Sequence, residues 1–313
     1  MGYARSQQNT IFHAVVAKDG TGDYTTVQSA IDAVPENLKS PWLIFVKNGS
    51  YEEQVIIPQN KPFIHLIGQD KERTIIHLKL NVGGKPDANT KDLAYWHYSV
   101  HNPKSAVSHF EGAVVNINTS DFYSENISYV NDWGLEAQNG PQALALKTKA
   151  DRIAFYNCKF RSFQDTWMTT TRDADRHYVK ECWLEGAVDY FYGGGNALVE
   201  ESTLYNVRSG SVIVAPCHES VKYGYVFRNC VIDGNEQAAD GKLKLGRPWH
   251  NSPKAVYINT LVKIPLAPEG WTNMGTIPAL FAEYNSMDMN GKTLDLSCRK
   301  TEYETGGKEK RKG

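Results

Sequence analysis

Short apolar runs, rich in β-branched side chains and bounded by Gly, Pro, Asn or Asp, set the rhythm of this chain. Residues 14–17, Trp42–Val46, 54–57, 63–67, Thr74–Leu78 and Ala113–Ile117 each read as a strand. The turn-rich 19–23 stretch separates the first of them from a segment of different period. There Val27, Ala30, Ile31 and Val34 recur at helical spacing behind Thr25 and Thr26, either of which suits an N-cap. This predicts one short N-terminal helix through Ala33, capping a fold otherwise made of strands.

From Phe122 onward the pattern repeats. Apolar residues flank a polar Asn or Glu, a small or apolar residue follows, and alternation resumes. Taking Asn126, Asn157, Glu181, Glu201, Asn229 and Asn259 as marks, the spacings are 31, 24, 20, 28 and 30 residues. An irregular period of this size, with no helices between the strands, matches an all-β parallel β-helix whose loops vary in length. An antiparallel sandwich also uses many short strands, but favours two-residue hairpins. The Asn-Gly pairs at 48–49, 139–140 and 290–291 and the Asp-Gly at 233–234 supply only a few. The sandwich is weakened by this, not excluded.

The repeat gives two carboxylates a common phase. Asp165 follows the Asn157 mark by eight residues, and Asp189 follows the Glu181 mark by eight. Equivalent positions on successive coils lie roughly 4.8 Å apart, so the pair is expected side by side, each within apolar or aromatic sequence where an unpaired charge is costly. Singly, each reads best as an aspartate accepting backbone hydrogen bonds. As neighbours, one can be ionised and the other protonated. Gln142 and Gln164 bring amides to the same region, able to donate to an oxyanion without adding charge. Arg247, after Gly246 and near Trp249, would keep Asp189 ionised. Asp173 and Asp175, in the charged run Thr171-Arg172-Asp173-Ala174-Asp175-Arg176, read as part of a solvated loop.

Composition narrows the partners. The 34 basic residues are matched by 35 acidic ones, which gives no support for nucleic-acid or anionic-membrane binding. No apolar run approaches the ~18 residues needed to span a bilayer. Met1 to Thr10 has no apolar core of the kind that directs secretion. The five cysteines lack C-x-x-C spacing and read mainly as small core residues. The 83–109 segment, with Tyr95, Trp96, His97, Tyr98 and His101, reads as a long aromatic loop without a metal, since Pro103 opposes a helix that would pair the histidines. The expected organisation is one β-helix domain over 1–305 and a charged, disordered tail over 306–313.

These residues resemble a known family, the pectin methylesterases or pectinesterases. The resemblance rests on Asp19-Gly20-Thr21-Gly22-Asp23-Tyr24 with Val27-Gln28, on Gly49-Ser50-Tyr51-Glu52-Glu53-Gln54-Val55, and on the stretch from Phe122 to Asn131. It continues through Gln142, Gln164-Asp165-Thr166, Asp189 within 188–193, and Leu245-Gly246-Arg247-Pro248-Trp249. It implies a right-handed parallel β-helix that hydrolyses methyl esters of polygalacturonate without a cofactor. Carried across, Asp189 is the nucleophile, Asp165 the general acid/base, Gln142 and Gln164 the oxyanion donors and Arg247 the arginine. Trp249, Tyr192 and Phe191 are the expected sugar contacts. The sequence departs from the family at Trp167-Met168, at Tyr190-Phe191-Tyr192 and at Thr272-Asn273-Met274, which bears on subsite preference. The remaining expectations are a polysaccharide substrate, a monomer, and a secreted, cell-wall or periplasmic location drawn from that substrate. The rival readings are a non-catalytic pectin-binding β-helix or another pectin-degrading β-helix enzyme. A polygalacturonase would show adjacent aspartates, and a lyase an acidic calcium cluster.

Overall fold

The computed structural model describes residues 12–80, 112–140 and 142–305. The 83–109 segment and the 306–313 tail lie outside the described residues. Three sheets of ten, seven and nine strands wrap one long core, and every pairing between named strands is parallel. This removes the antiparallel sandwich. Each coil contributes a strand to successive sheets and returns above itself, a parallel β-helix with the right-handed winding that strand chirality favours.

The marks of the repeat are corners. Asn126, Asn157, Glu181, Glu201, Asn229 and Asn259 all have φ between 48° and 57°, and Asn285 continues the series at 54°. Each ends a strand of the ten-stranded sheet, as Asn157 follows Ile153–Tyr156, and turns the chain into the nine-stranded sheet. A left-handed residue makes that corner, and Asn tolerates it better than most side chains. The corner amides also bond between coils: Asn157 Nδ2 donates to Asn126 Oδ1 at 2.7 Å, Asn259 to Asn229 at 3.1 Å and Asn285 to Asn259 at 2.9 Å. The residue after each mark points inward: Ile127, Cys158, Cys182, Ser202, Cys230, Thr260 and Ser286 are all buried. Three of the five cysteines therefore have the expected core role, while Cys298 is exposed and all five are free.

Inside, aromatic rings form a column along the axis. Phe155 meets Trp167 edge-on at 5.1 Å, Trp167 meets Phe191 at 5.1 Å, Phe191 meets Phe227 at 5.8 Å, and Phe227 stacks on Tyr257 at 4.7 Å. Such contacts add about 1 kcal/mol each beyond area burial. Near the N-terminus the helix Val27–Ala33 buries Val27, Ala30 and Ile31, and the Thr26 hydroxyl accepts from Ser29 N–H as its N-cap. The strand read at 63–67 begins one residue later, as Ile64–Gly68; Phe63, at φ 64°, turns the chain into it, its carbonyl accepting from Trp42 N–H at 2.8 Å.

Candidate active site

All the candidate groups lie on or beside the seven-stranded sheet. Gln142 precedes Leu144–Thr148, Gln164 and Asp165 precede Trp167–Met168, Asp189 lies in Val188–Gly193, and Arg247 and Trp249 follow Lys244–Gly246. The register between the two central strands is constant: Gln164 pairs with Val188, Trp167 with Phe191 and Met168 with Tyr192. Each offset is 24 residues, the separation of Asp165 from Asp189, so the carboxylates stand directly across adjacent strands. Both adopt left-handed backbone, φ 61° at Asp165 and 50° at Asp189. That conformation costs a β-carbon residue about 1 kcal/mol or more and tends to persist where function requires it.

The two environments differ. Asp189 is buried, and the Arg247 guanidinium grips it with Nε to Oδ1 at 2.9 Å and Nη2 to Oδ2 at 2.5 Å. The arginine reaches across the intervening strand Val212–Pro216. Gly246 makes this possible, since a β-carbon there would lie 2.5 Å from a Val214 methyl and 2.9 Å from its carbonyl oxygen. Asp165 is held through its backbone, N–H to the Val188 carbonyl at 2.9 Å. Burial pushes its carboxyl well above the ordinary carboxylate range, and the Asp189 charge pushes it the same way. The Tyr192 hydroxyl and Arg247 oppose that rise without cancelling it. The geometry thus separates a carboxylate paired with an arginine from a neighbour whose carboxyl is raised.

Gln142 is exposed and Gln164 half-buried, and among the described residues neither amide is engaged in a side-chain hydrogen bond. Ala143 N–H donates to the Gln164 carbonyl at 3.0 Å, which sets the strand carrying Gln142 beside the one carrying Gln164.

Of the three expected sugar contacts, Trp249 and Tyr192 lie together, ring centroids 5.6 Å apart and edge to face, packed with Met168, Leu144 and Ala215 on the outer side of the sheet. Phe191 does not join them. Its ring is fully buried against Trp167, Tyr225 and Phe227, because adjacent strand residues point to opposite faces and Tyr192 takes the outward one. A bulge between Val188 and Phe191 turns Tyr190 inward as well. Asp175 also departs from expectation. It is 2% exposed, accepting from Thr170 Oγ1 at 2.7 Å and Arg172 Nε at 3.0 Å, and is no part of a solvated surface.

Lys147 was not singled out by sequence. It pairs with Met168 on one side and Asn116 on the other, and burial pushes its ammonium down to about 8. A lysine directly after the apolar run Ala143-Leu144-Ala145-Leu146, at the same strand phase as its buried members, was the available signal. Among the described residues no cluster of three or more His, Cys, Asp and Glu is gathered to hold a metal ion.

This parallel β-helix is a carboxylic ester hydrolase by the family its sequence matches. The chain belongs to the pectinesterase family, whose profile, described as Pectinesterase, matches residues 13–95 and 97–301. It is 33% identical over 275 residues to Pectinesterase 31 of Arabidopsis thaliana, covering 86% of this chain and 80% of that protein. It is 30% identical to a Petunia integrifolia pectinesterase, over 88% of this chain and 70% of that one. A solved pectin methylesterase from Aspergillus niger superposes with a TM-score of 0.73 at 28% identity, over 93% of this chain and 88% of that one. The carrot pectin methylesterase gives 0.76 at 24% identity, over 95% and 88%.

Proposed function

We propose that this enzyme hydrolyses methyl esters of galacturonate units in pectin, with Asp189 as nucleophile and Asp165 as general acid and then base. An Asp189 oxygen attacks the ester carbonyl carbon while the Gln142 and Gln164 amides donate to the developing oxyanion. The carbon–oxygen bond to the methoxy group breaks, and protonated Asp165 gives its proton to the departing methanol. Asp165, now ionised, takes a proton from water as that water attacks the acyl-enzyme, which frees Asp189 and the galacturonate. Arg247 fixes the attacking carboxylate through its two-point grip.

The observation that carries the reading is the unlike treatment of two adjacent carboxylates: Arg247 holds Asp189, while burial and the Asp189 charge raise Asp165. The groove aromatics Trp249 and Tyr192 suit a sugar polymer, and a polymeric substrate of this kind goes with an extracellular location. The deciding experiment follows methanol release from highly esterified pectin alongside reducing ends and unsaturated-product absorbance. Methanol alone is expected. Its loss in Asp189→Ala with the fold retained supports the assignment, and new reducing ends or unsaturated products would replace it with glycosidic-bond cleavage.

A further inference from the structure

A second relay of polar side chains stands on the nine-stranded sheet, a different sheet from the one that carries the carboxylate pair. Ser50 lies in the strand Gly49–Glu52, His77 in its neighbour Thr74–Leu78, and Asp132, directly after the next strand Ser128–Asn131, opens the short helix Asp132–Ala137. Ser50 Oγ and His77 Nε2 are 2.6 Å apart, and His77 Nδ1 and Asp132 Oδ2 are 2.5 Å apart. An ionised carboxylate only accepts hydrogen bonds, so Asp132 sets the histidine tautomer. With Nδ1–H donating to Asp132, Nε2 is the nitrogen left to accept the Ser50 hydroxyl. Ser50 is exposed, whereas the His77 and Asp132 side chains retain 20% and 31% of their exposure. Glu52, the register partner of His77, is the other charged group on these strands, and Lys79, paired with Glu136, lies just past Leu78.

We propose that Ser50 is an activated, acyl-accepting nucleophile, with His77 as its base and Asp132 as the group that orients the base. Three side chains brought from separate positions into one hydrogen-bonded line satisfy the geometric requirement for serine activation. As Ser50 Oγ bonds to an acyl carbon, its proton passes to His77 Nε2. The bond from that carbon to the alcohol oxygen then breaks, and the alcohol leaves with the proton from His77. Water, giving a proton to the same nitrogen, later releases the carboxylic acid and restores the serine. Because Ser50 sits on an exposed strand, the class it suits is a small acyl ester, such as an acetyl ester. This site does not depend on the aspartate mechanism proposed above.

The test uses the full chain with a fluorophosphonate probe, followed by mass spectrometry of the peptide containing Ser50, and hydrolysis of 4-nitrophenyl acetate as a second readout. Ser50 is expected to carry the label, and the label to vanish in Ser50→Ala. The labelling rate should fall roughly 100-fold or more in His77→Gln and less steeply in Asp132→Asn. Labelling in Asp189→Ala should equal wild type, and methanol release by Ser50→Ala should be unchanged. Thermal melts establish that each variant is folded, and the two relay substitutions stand in for each other if one is not. An unlabelled Ser50, or a folded His77→Gln or Asp132→Asn protein that labels as fast as wild type, overturns the proposal.

Discussion

Arg247 holds Asp189 by two parallel hydrogen bonds made across an intervening strand. The planar fork is what the geometry uses, and lysine offers a charge without it. Arg247→Lys is expected to lower kcat roughly 10- to 100-fold with a smaller change in KM. Steady-state methanol release at saturating pectin checks this. Lysine at wild-type kcat would mean that charge alone suffices.

Asp165 and Asp189 should fail as a unit. Each single alanine variant is expected to lose several orders of magnitude in kcat, and the double variant little more, since the proposed acyl transfer uses both groups in one step. Additive losses in a folded double variant would separate the two residues into independent roles.

The raised Asp165 carboxyl links activity to stability with a definite sign. A carboxyl whose folded value exceeds its unfolded one stabilises fully below the unfolded value, and that contribution fades as pH rises through the folded value. Asp165→Asn removes the ionisation while keeping the shape. Its melting temperature should match wild type near about pH 4 and exceed it by roughly 2 °C or more near about pH 8, while methanol release is lost. A variant less stable than wild type at the higher pH would contradict the raised value.

Asp175, read from sequence as solvated, is buried on Thr170 and Arg172. Asp175→Ala should cost about 2–4 kcal/mol in denaturant unfolding, because its removal strands a buried hydroxyl and part of a guanidinium. Asp173 is half-buried and its carboxylate accepts from Glu219 and Ser220 N–H, so Asp173→Ala should cost about 1 kcal/mol. Equal unfolding free energies for the two variants would refute this ranking.

Trp249 packs edge to face on Tyr192 beside the carboxylates. Trp249→Ala should raise KM on polymeric pectin about fivefold or more, the loss of about 1 kcal/mol of ring contact. Unchanged kinetics would remove it from the substrate groove.

The coil pattern was legible in the chain because its cause is local. A left-handed corner favours few residues, so Asn recurs where the backbone bends, at four of the six marks, and the following side chain is small or apolar because it faces the core. The shared phase of Asp165 and Asp189 follows from that rhythm, and it survives as a constant 24-residue register. Which face a given side chain takes was settled only in three dimensions. A bulge sends Tyr190 and Phe191 inward together, and the turn around Asp175 folds a charged run back on its own carboxylate. The Arg247 grip depends on Gly246 packing against Val214, and the Ser50, His77 and Asp132 line joins residues up to 82 positions apart in sequence. Period and corner chemistry are properties of neighbouring residues, whereas these contacts depend on how coils stack, which no single coil specifies.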